Sequence, residues 1–367
     1  MLTIVLNSAN LSTVQKERIN MNGERLKAAR KMAGLSLEEL AQKVGELTKQ
    51  AISYYETGKR QPDSKTLLRL AKVLGVRPEY FLRRDEIEFG AFEYRKKAKM
   101  REKAKGIIEE KARYVAERYL EIEELLEFGK DWENPLKGLE IKDGNDVEKA
   151  ALELRKKWKL GTDAIIKLIE TLETYGIMII GVDADDNFDG LTNFANGKPI
   201  IIYNERIKDN VRIRFTIAHE LGHILLNLSE IKDIKEKEKL CHQFAGAFLL
   251  PKEKIYLELG GKHRSKIAFS ELISMKEEYG ISIQAIAKRL HYLKIITDSA
   301  YTRFNIIVNK NKWRQNEPGE FKIEEKPEKF KNLVLRALAE EIISIGKAAS
   351  LLNTSISDLE KSVRYII

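Results

Sequence analysis

The sequence predicts a mainly helical α+β protein with a small sheet, divided among more than one domain. Three observations carry that expectation. At 367 residues the chain exceeds what one ordinary core organises. Amphipathic segments bounded by capping residues and glycine stops recur from about residue 21 onward. Only a few short runs, 177–182, 199–204 and 300–308, are rich enough in β-branched and aromatic residues to read as strands.

Composition narrows the class. The chain is 43% hydrophobic and 33% charged, which suits a globular protein, and its net charge of +9 favours a polyanionic partner. A single cysteine excludes a disulfide framework or a thiolate metal site and suits a reducing compartment. No apolar run reaches the roughly 20 residues of a membrane helix. The opening MLTIVLNSANLSTVQKERIN lacks the basic start and long apolar stretch of a secretion signal. A soluble, cytoplasmic protein that does not engage membranes is expected.

Residues 1–20 read as a weakly anchored extension. Residues 21–83 read as an all-helical domain. Ser36 and Glu39 form a capping box opening a helix whose Leu37, Leu40, Ala41 and Val44 make one apolar face. Gly45 closes it, and Thr48 caps the next helix, KQAISYYE. There Ala51, Ile52 and Tyr55 turn inward at helical spacing, while Lys49, Gln50, Ser53 and Tyr54 face outward. This is the layout of a helix-turn-helix, whose second helix enters the major groove of double-stranded DNA. Gln50 and Lys49 suit adenine and guanine edges, and Lys59 and Arg60, just past the helix, suit phosphates.

The stretch Arg25 to Leu82, with ISYYETGKRQPD and LLRLAKVLGV, resembles the XRE (lambda-repressor-like) family. That resemblance implies operator binding, with Lys49, Gln50 and Tyr54 at base-contact positions. A helix-turn-helix reused for protein contact is the plainer alternative.

Residues 84–145 read as a charged helical linker: RKKAKMREKAK at 95–105, then a long helix ending near Gly129, then a loop from Asp131 to Asn145. The basic run fits phosphate contacts or a merely solvated face. Residues 146–295 form the expected second domain. DVEKAALELRKKW and DAIIKLIETLETYG read as helices, the second starting near Asp163; IMIIGV and PIIIYN as strands; Asp189–Gly190 as a plain turn between them. Beyond Pro251, SELISMKEEYG and SIQAIAKRLHYLK read as helices. In the C-terminal region, 296–367, AYTRFNIIV (300–308) reads as a strand, and FKNLVLRALAEE and SIGKAASLLN as a helical pair.

The chemistry concentrates in NVRIRFTIAHELGHILLNL (210–228). His219 and His223 stand one helical turn apart, so both rings reach one side of the helix and one zinc ion, with Glu220 beside them as general base. Five residues alone are a weak signal. The apolar flanks strengthen it, because two histidines and a glutamate on a buried helix are costly unless satisfied. A catalytic zinc needs a third ligand, and EKEKLCHQFAGAFLLP (236–251) offers Glu238, with His242 and Glu236 as rivals. His242 also suits a place behind the ligands. Cys241 reads as a buried thiol. Tyr203, His242, His263, His291 and Tyr301 are candidates for stabilising an oxyanion.

FDGLTNF, PIIIYN, RIRFTIAHELGHILL and EKLCHQFAGAFLLP together resemble the ImmA/IrrE family of zinc metallopeptidases. Carried over by position, this implies a zincin-like, gluzincin-type domain with ligands His219, His223 and Glu238 and general base Glu220. His242 departs from the family's usual Asn or Asp. The resemblance further implies endopeptidase cleavage of a partner repressor or antitoxin-like protein in a stress or mobile-element response. An extended substrate would pair with an edge strand near 199–204, and a homodimer is expected, through helix 106–128. One rival reading is a non-catalytic XRE-family repressor whose peptidase-like domain serves as sensor or dimerisation body. The other is a general peptidase that the helix-turn-helix merely localises.

Overall fold

The computed structural model describes residues 21–83, 87–92, 100–128, 132–260 and 263–363. The extension 1–20 and the basic residues 95–99 lie outside the described residues. The chain divides into two compact units, Met1–Glu86 and Ile87–Ile367.

In the first unit, α1 (Gly23–Met32), α2 (Leu37–Val44), α3 (Lys49–Glu56) and α4 (Ser64–Leu74) are followed by a 3-10 turn, Pro78–Leu82. Each start is fixed locally. Asn22, Ser36, Thr48 and Asp63 each accept a backbone N–H of the first turn, satisfying donors that a helix cannot pair internally. The predicted capping box is present, with Glu39 N to Ser36 Oγ at 3.1 Å and Ser36 N to a Glu39 carboxylate oxygen at 2.7 Å. Leu26, Leu40, Ile52, Leu70 and Phe81 are fully buried and form the centre of this unit. Arg30 grips both Glu56 carboxylate oxygens, at 2.6 and 3.0 Å, and the Leu35 carbonyl at 2.9 Å, which locks α3 against α1.

The second unit is built around a three-stranded sheet in the order β1-β3-β2, with β1 (Met178–Val182) parallel and β2 (Gly190–Ala195) antiparallel to β3 (Lys198–Asn204). Its helices are α5 (Glu102–Leu125), α6 (Gly144–Lys157), α7 (Leu168–Thr174), α8 (Asn210–Leu225), α9 (Ile234–Leu249), α10 (Lys252–Leu259), α11 (Phe269–Tyr279), α12 (Ile283–Tyr292), α13 (Asp298–Lys310), α14 (Lys329–Ala339), α15 (Ile345–Leu351) and α16 (Ile356–Ser362). Alternation along the strands gives the sheet two apolar faces. Met178, Ile180, Ile200 and Ile202 meet α5, α14 and α15, while Ile179, Ile201 and Tyr203 belong to the core that includes α6, α8, α9 and α12. No described helix is long and apolar enough to cross a membrane.

Several expectations are corrected. Residues 300–308 are helical: Thr297 caps α13, and Ala300, Phe304 and Val308 recur every four residues on its buried side, whereas Ile306 and Ile307 are exposed. The expected turn at Asp189–Gly190 opens a third strand, β2. Its hairpin to β3 turns through Asn196 and Gly197 at φ 47° and 76°, the conformation an Asn-Gly pair favours. Residues 199–204 are therefore the central strand, and β2 is an edge. Part of that edge is covered by the chain itself, through Gly90 N to Phe194 O and Asn196 N to Glu88 O, both 3.0 Å. α7 starts at Leu168 instead of near Asp163 because the distant Glu325 carboxylate accepts the Leu168 and Ile169 N–H groups, both at 2.9 Å. Within the stretch read as a charged linker, α5 lies on the sheet. Its Ile108, Ala112, Ala116, Tyr119 and Ile122 are buried in this unit's own core, so that face is not left over for the expected dimer contact.

Candidate metal centre and nucleic-acid interface

Helix α8 is held from its base. Arg214, fully buried amid apolar side chains, donates to the carbonyls of Ile165 (2.7 Å), Ile166 (3.3 Å), Tyr279 (3.1 Å) and Gly280 (3.2 Å), and pairs with buried Glu325. Burial pulls the Arg214 pKa down and Glu325 opposes that shift, so a charged guanidinium has compensation on every side. Asp209 caps the helix through Val211 N at 2.9 Å. Arg214 lies within RIRFTIAHELGHILL but outside the histidine motif itself. An arginine among the apolar residues of a buried helix was the available signal.

Two glycines let neighbours approach α8 closely. A Cβ at Gly222 would lie 3.2 Å from Phe244 Cδ1 and 3.4 Å from Cys241 Cα, so α9 packs tightly where α8 carries its histidines. A Cβ at Gly190 would lie 2.9 Å from Thr216 Cγ2 and 3.4 Å from Glu220 Cγ, which brings the start of β2 against Glu220.

The result is a convergence of donors. His219 Nε2 and His223 Nε2 are 3.0 Å apart, and the Glu238 carboxylate lies 3.5 Å from the first and 3.3 Å from the second. A tetrahedral zinc with bonds of about 2.0–2.2 Å has donor atoms roughly 3.3–3.6 Å apart; both Glu238 spacings fall in that range and the 3.0 Å between the two histidines is slightly shorter, so the residue types and their convergence suit such an ion. Glu236, the rival, is half-exposed and engages Lys239 Nζ at 2.9 Å. A second trio shares the place: ligand atoms of His219, Glu238 and His242 all lie within 4.8 Å of one another. The spacings within the first trio, 3.0–3.5 Å, are the tighter of the two. His219 and Glu220 are buried, His223 and Glu238 partly so, and His242 is exposed, so the cluster opens toward solvent on one side. Behind His223, the buried Cys241 Sγ sits 3.5 Å from Nδ1.

Among the other candidates named from sequence, His242 is in ring contact with His219. His291 instead bonds Asp298 at 2.7 Å and stacks on Tyr301 at 4.5 Å. Tyr203 is buried, which together with neighbouring Glu205 raises its pKa, and His263 is exposed on the surface.

In the first unit, Lys49 and Gln50 are exposed at the start of α3, Ser53 is half-buried, and Tyr54 is exposed on the same helix with Lys59 Nζ 5.9 Å from its ring centre. Lys59 and Arg60 are exposed just beyond the helix end. The predicted outward set thus lies together on one helix and the turn that follows it.

Comparison with known proteins agrees with both halves. Residues 26–81 match the helix-turn-helix family and residues 172–291 match the IrrE N-terminal-like domain, which is grouped with peptidases. The chain is 41% identical over 69 residues to the SPbeta prophage-derived uncharacterized HTH-type transcriptional regulator YonR of Bacillus subtilis, a match covering 19% of this chain and 63% of that protein. It is 40% identical over 65 residues to the HTH-type transcriptional regulator ImmR of the same organism, covering 18% of this chain and 50% of ImmR. These matches span between half and about three-fifths of the relatives' lengths.

Proposed function

From a chain that carries a helix-turn-helix domain at 26–81 and an IrrE N-terminal-like domain at 172–291, we propose a DNA-binding transcriptional regulator whose second unit is a zinc-dependent endopeptidase. Its substrate is a partner repressor or antitoxin-like protein, cut in a stress or mobile-element response. The observation that carries the enzymatic half is the convergence of His219, His223 and Glu238 at 3.0–3.5 Å beside Glu220.

In this reading His219, His223 and Glu238 hold the ion, and Arg214 and Gly222 fix the two helices that present them. When bound, zinc supplies a Lewis acid that polarises the scissile carbonyl. Glu220 takes a proton from the attacking water, whose oxygen bonds to the carbonyl carbon, and passes it to the amide nitrogen as the C–N bond breaks. The peptide lies extended along the uncovered start of the β2 edge, Gly190–Thr192, to which no other strand is paired among the described residues. The neighbouring pairing of residues 88–90 supports that placement, since it is a strand addition to the same edge.

In the DNA-binding half, Lys49, Gln50, Ser53 and Tyr54 face the major groove, and Lys59 and Arg60 contact phosphates. Binding to a palindromic operator calls for a homodimer formed through a surface other than the buried face of α5. Light scattering on the eluted protein gives its mass, and a monomer at micromolar concentration would count against this.

The test of the enzymatic half is metal content and cleavage together. Wild type binds about one zinc per chain and cuts a co-expressed repressor; Glu220→Gln keeps the zinc and loses the cut. If zinc-loaded wild type leaves the repressor intact and Glu220→Gln regulates like wild type, the peptidase reading fails and a non-catalytic repressor with a sensing or dimerisation body takes its place.

A further inference from the structure

The geometry points to His242 as a fourth, displaceable ligand that closes the metal site of the resting protein. This rests on the zinc reading above. Helix α8 presents His219 and His223 four residues apart, and α9 presents Glu238 and His242 at the same spacing. Each helix thus brings two potential donors to the place where the helices meet. The His242 ring lies 4.1 Å from that of His219, nearer than the 4.8 Å between His219 and His223, and its ligand atom falls within 4.8 Å of those of His219 and Glu238.

The tautomer supports ligation. His242 Nδ1 lies 2.7 Å from the Glu238 carbonyl oxygen. A carbonyl only accepts, so in the neutral ring Nδ1 carries the hydrogen and Nε2 keeps the lone pair a cation needs. The same bond ties the ring to the backbone of the residue whose carboxylate faces the other two histidines. A ring held this way binds metal readily; in its neutral form it has no N–H to offer an oxyanion from Nε2.

The consequence is chemical. Two histidines and one glutamate leave a vertex for water or substrate, which is the pattern of a catalytic zinc, whereas four protein ligands make a closed one. His242 occupies the solvent-facing side of the cluster, where a peptide carbonyl would enter. With it bound the site stores zinc without reacting, and its departure opens the vertex.

X-ray absorption on the zinc-loaded full chain counts the imidazoles. Three are expected in wild type and two in His242→Asn, which also keeps a polar group at this exposed position. Zinc affinity by chelator competition should fall roughly 10–100-fold in the variant, the range set by losing a supporting or coordinating group. Cobalt-substituted protein should change its visible spectrum on the same substitution. Two imidazoles in wild type, or an unchanged affinity and spectrum in His242→Asn, would overturn the fourth-ligand assignment while leaving the zinc site standing. Absence of zinc from wild type would overturn both.

Discussion

The contact at Gly222 offers a sensitive test of how the metal centre is assembled. Gly222 lies between His219 and His223 on α8, and its missing side chain is what allows Cys241 and Phe244 of α9 to come so near. In Gly222→Ala the new methyl sits 3.2 Å from Phe244 Cδ1 and 3.4 Å from Cys241 Cα. Comfortable carbon contacts are about 3.5–4.0 Å, so the helices must part by roughly 0.3–0.5 Å. A zinc site tolerates about 0.2 Å in its bond lengths, and Glu238 stands on the helix that moves. Zinc affinity is therefore expected to fall about 10–100-fold, the size seen when supporting groups are lost. Stability should change by a net of about 0–2 kcal/mol, because overpacking costs about 1–3 kcal/mol while alanine gains about 1 kcal/mol over glycine within a helix. Chelator competition measures the first quantity and thermal unfolding of the metal-free protein the second. A variant that holds zinc within twofold of wild type would refute the claim that this close approach sets the ligand geometry. Loss of folding would instead locate the strain in the core.

Three further outcomes follow from the same reasoning. Glu173 is buried while accepting the Glu328 and Lys329 N–H groups, and desolvation raises its pKa from 4.5 to about 7. Because the folded value is the higher one, its contribution is complete below about pH 4.5 and lost as pH rises to 7; Glu173→Gln should remove up to about 3 kcal/mol of that pH dependence in denaturant titrations. Arg289 clamps Glu148 at 2.6 and 2.8 Å and the Leu250 carbonyl at 2.7 Å, joining α12 to α6 and to the end of α9. Arg289→Leu should cost about 3–5 kcal/mol by leaving a largely buried carboxylate uncompensated, and adding Glu148→Leu should restore much of it; equal unfolding midpoints for wild type and the single variant would contradict this. Lys59→Ala should weaken operator and random DNA about equally and lower the salt dependence of binding by about one, whereas Gln50→Ala should cost about 1–3 kcal/mol on the operator alone. Filter binding across a salt series separates the two.

Much of the local structure was legible because its causes are local. Ser36 with Glu39, Thr48 and Gly45 fix α2 and α3 through bonds made within a few residues. The spacing of His219 and His223 places two rings on one side of a helix whatever the rest of the chain does. The Asn196–Gly197 pair is an equally local hairpin signal, and it is this turn that makes β2 the edge and β3 the central strand. Residues 300–308 misled because a run of β-branched and aromatic residues suits either secondary structure, and only packing of Ala300, Phe304 and Val308 chooses the helix.

What only the tertiary structure decided are pairings between residues far apart in the chain. Glu325 meets Arg214 across 111 positions, and its other bonds set where α7 begins. That Glu238 faces His219 and His223 while Glu236 engages Lys239 depends on the rotation of α9 about its own axis, which is fixed by burial of Cys241 and Phe244 against Gly222. Sequence alone determined which residues are chemically able to hold a metal and to face DNA, since residue type and helical period are intrinsic to the chain. Which of them converge is a property of two helices and a strand packed at van der Waals distance, and no local spacing encodes that.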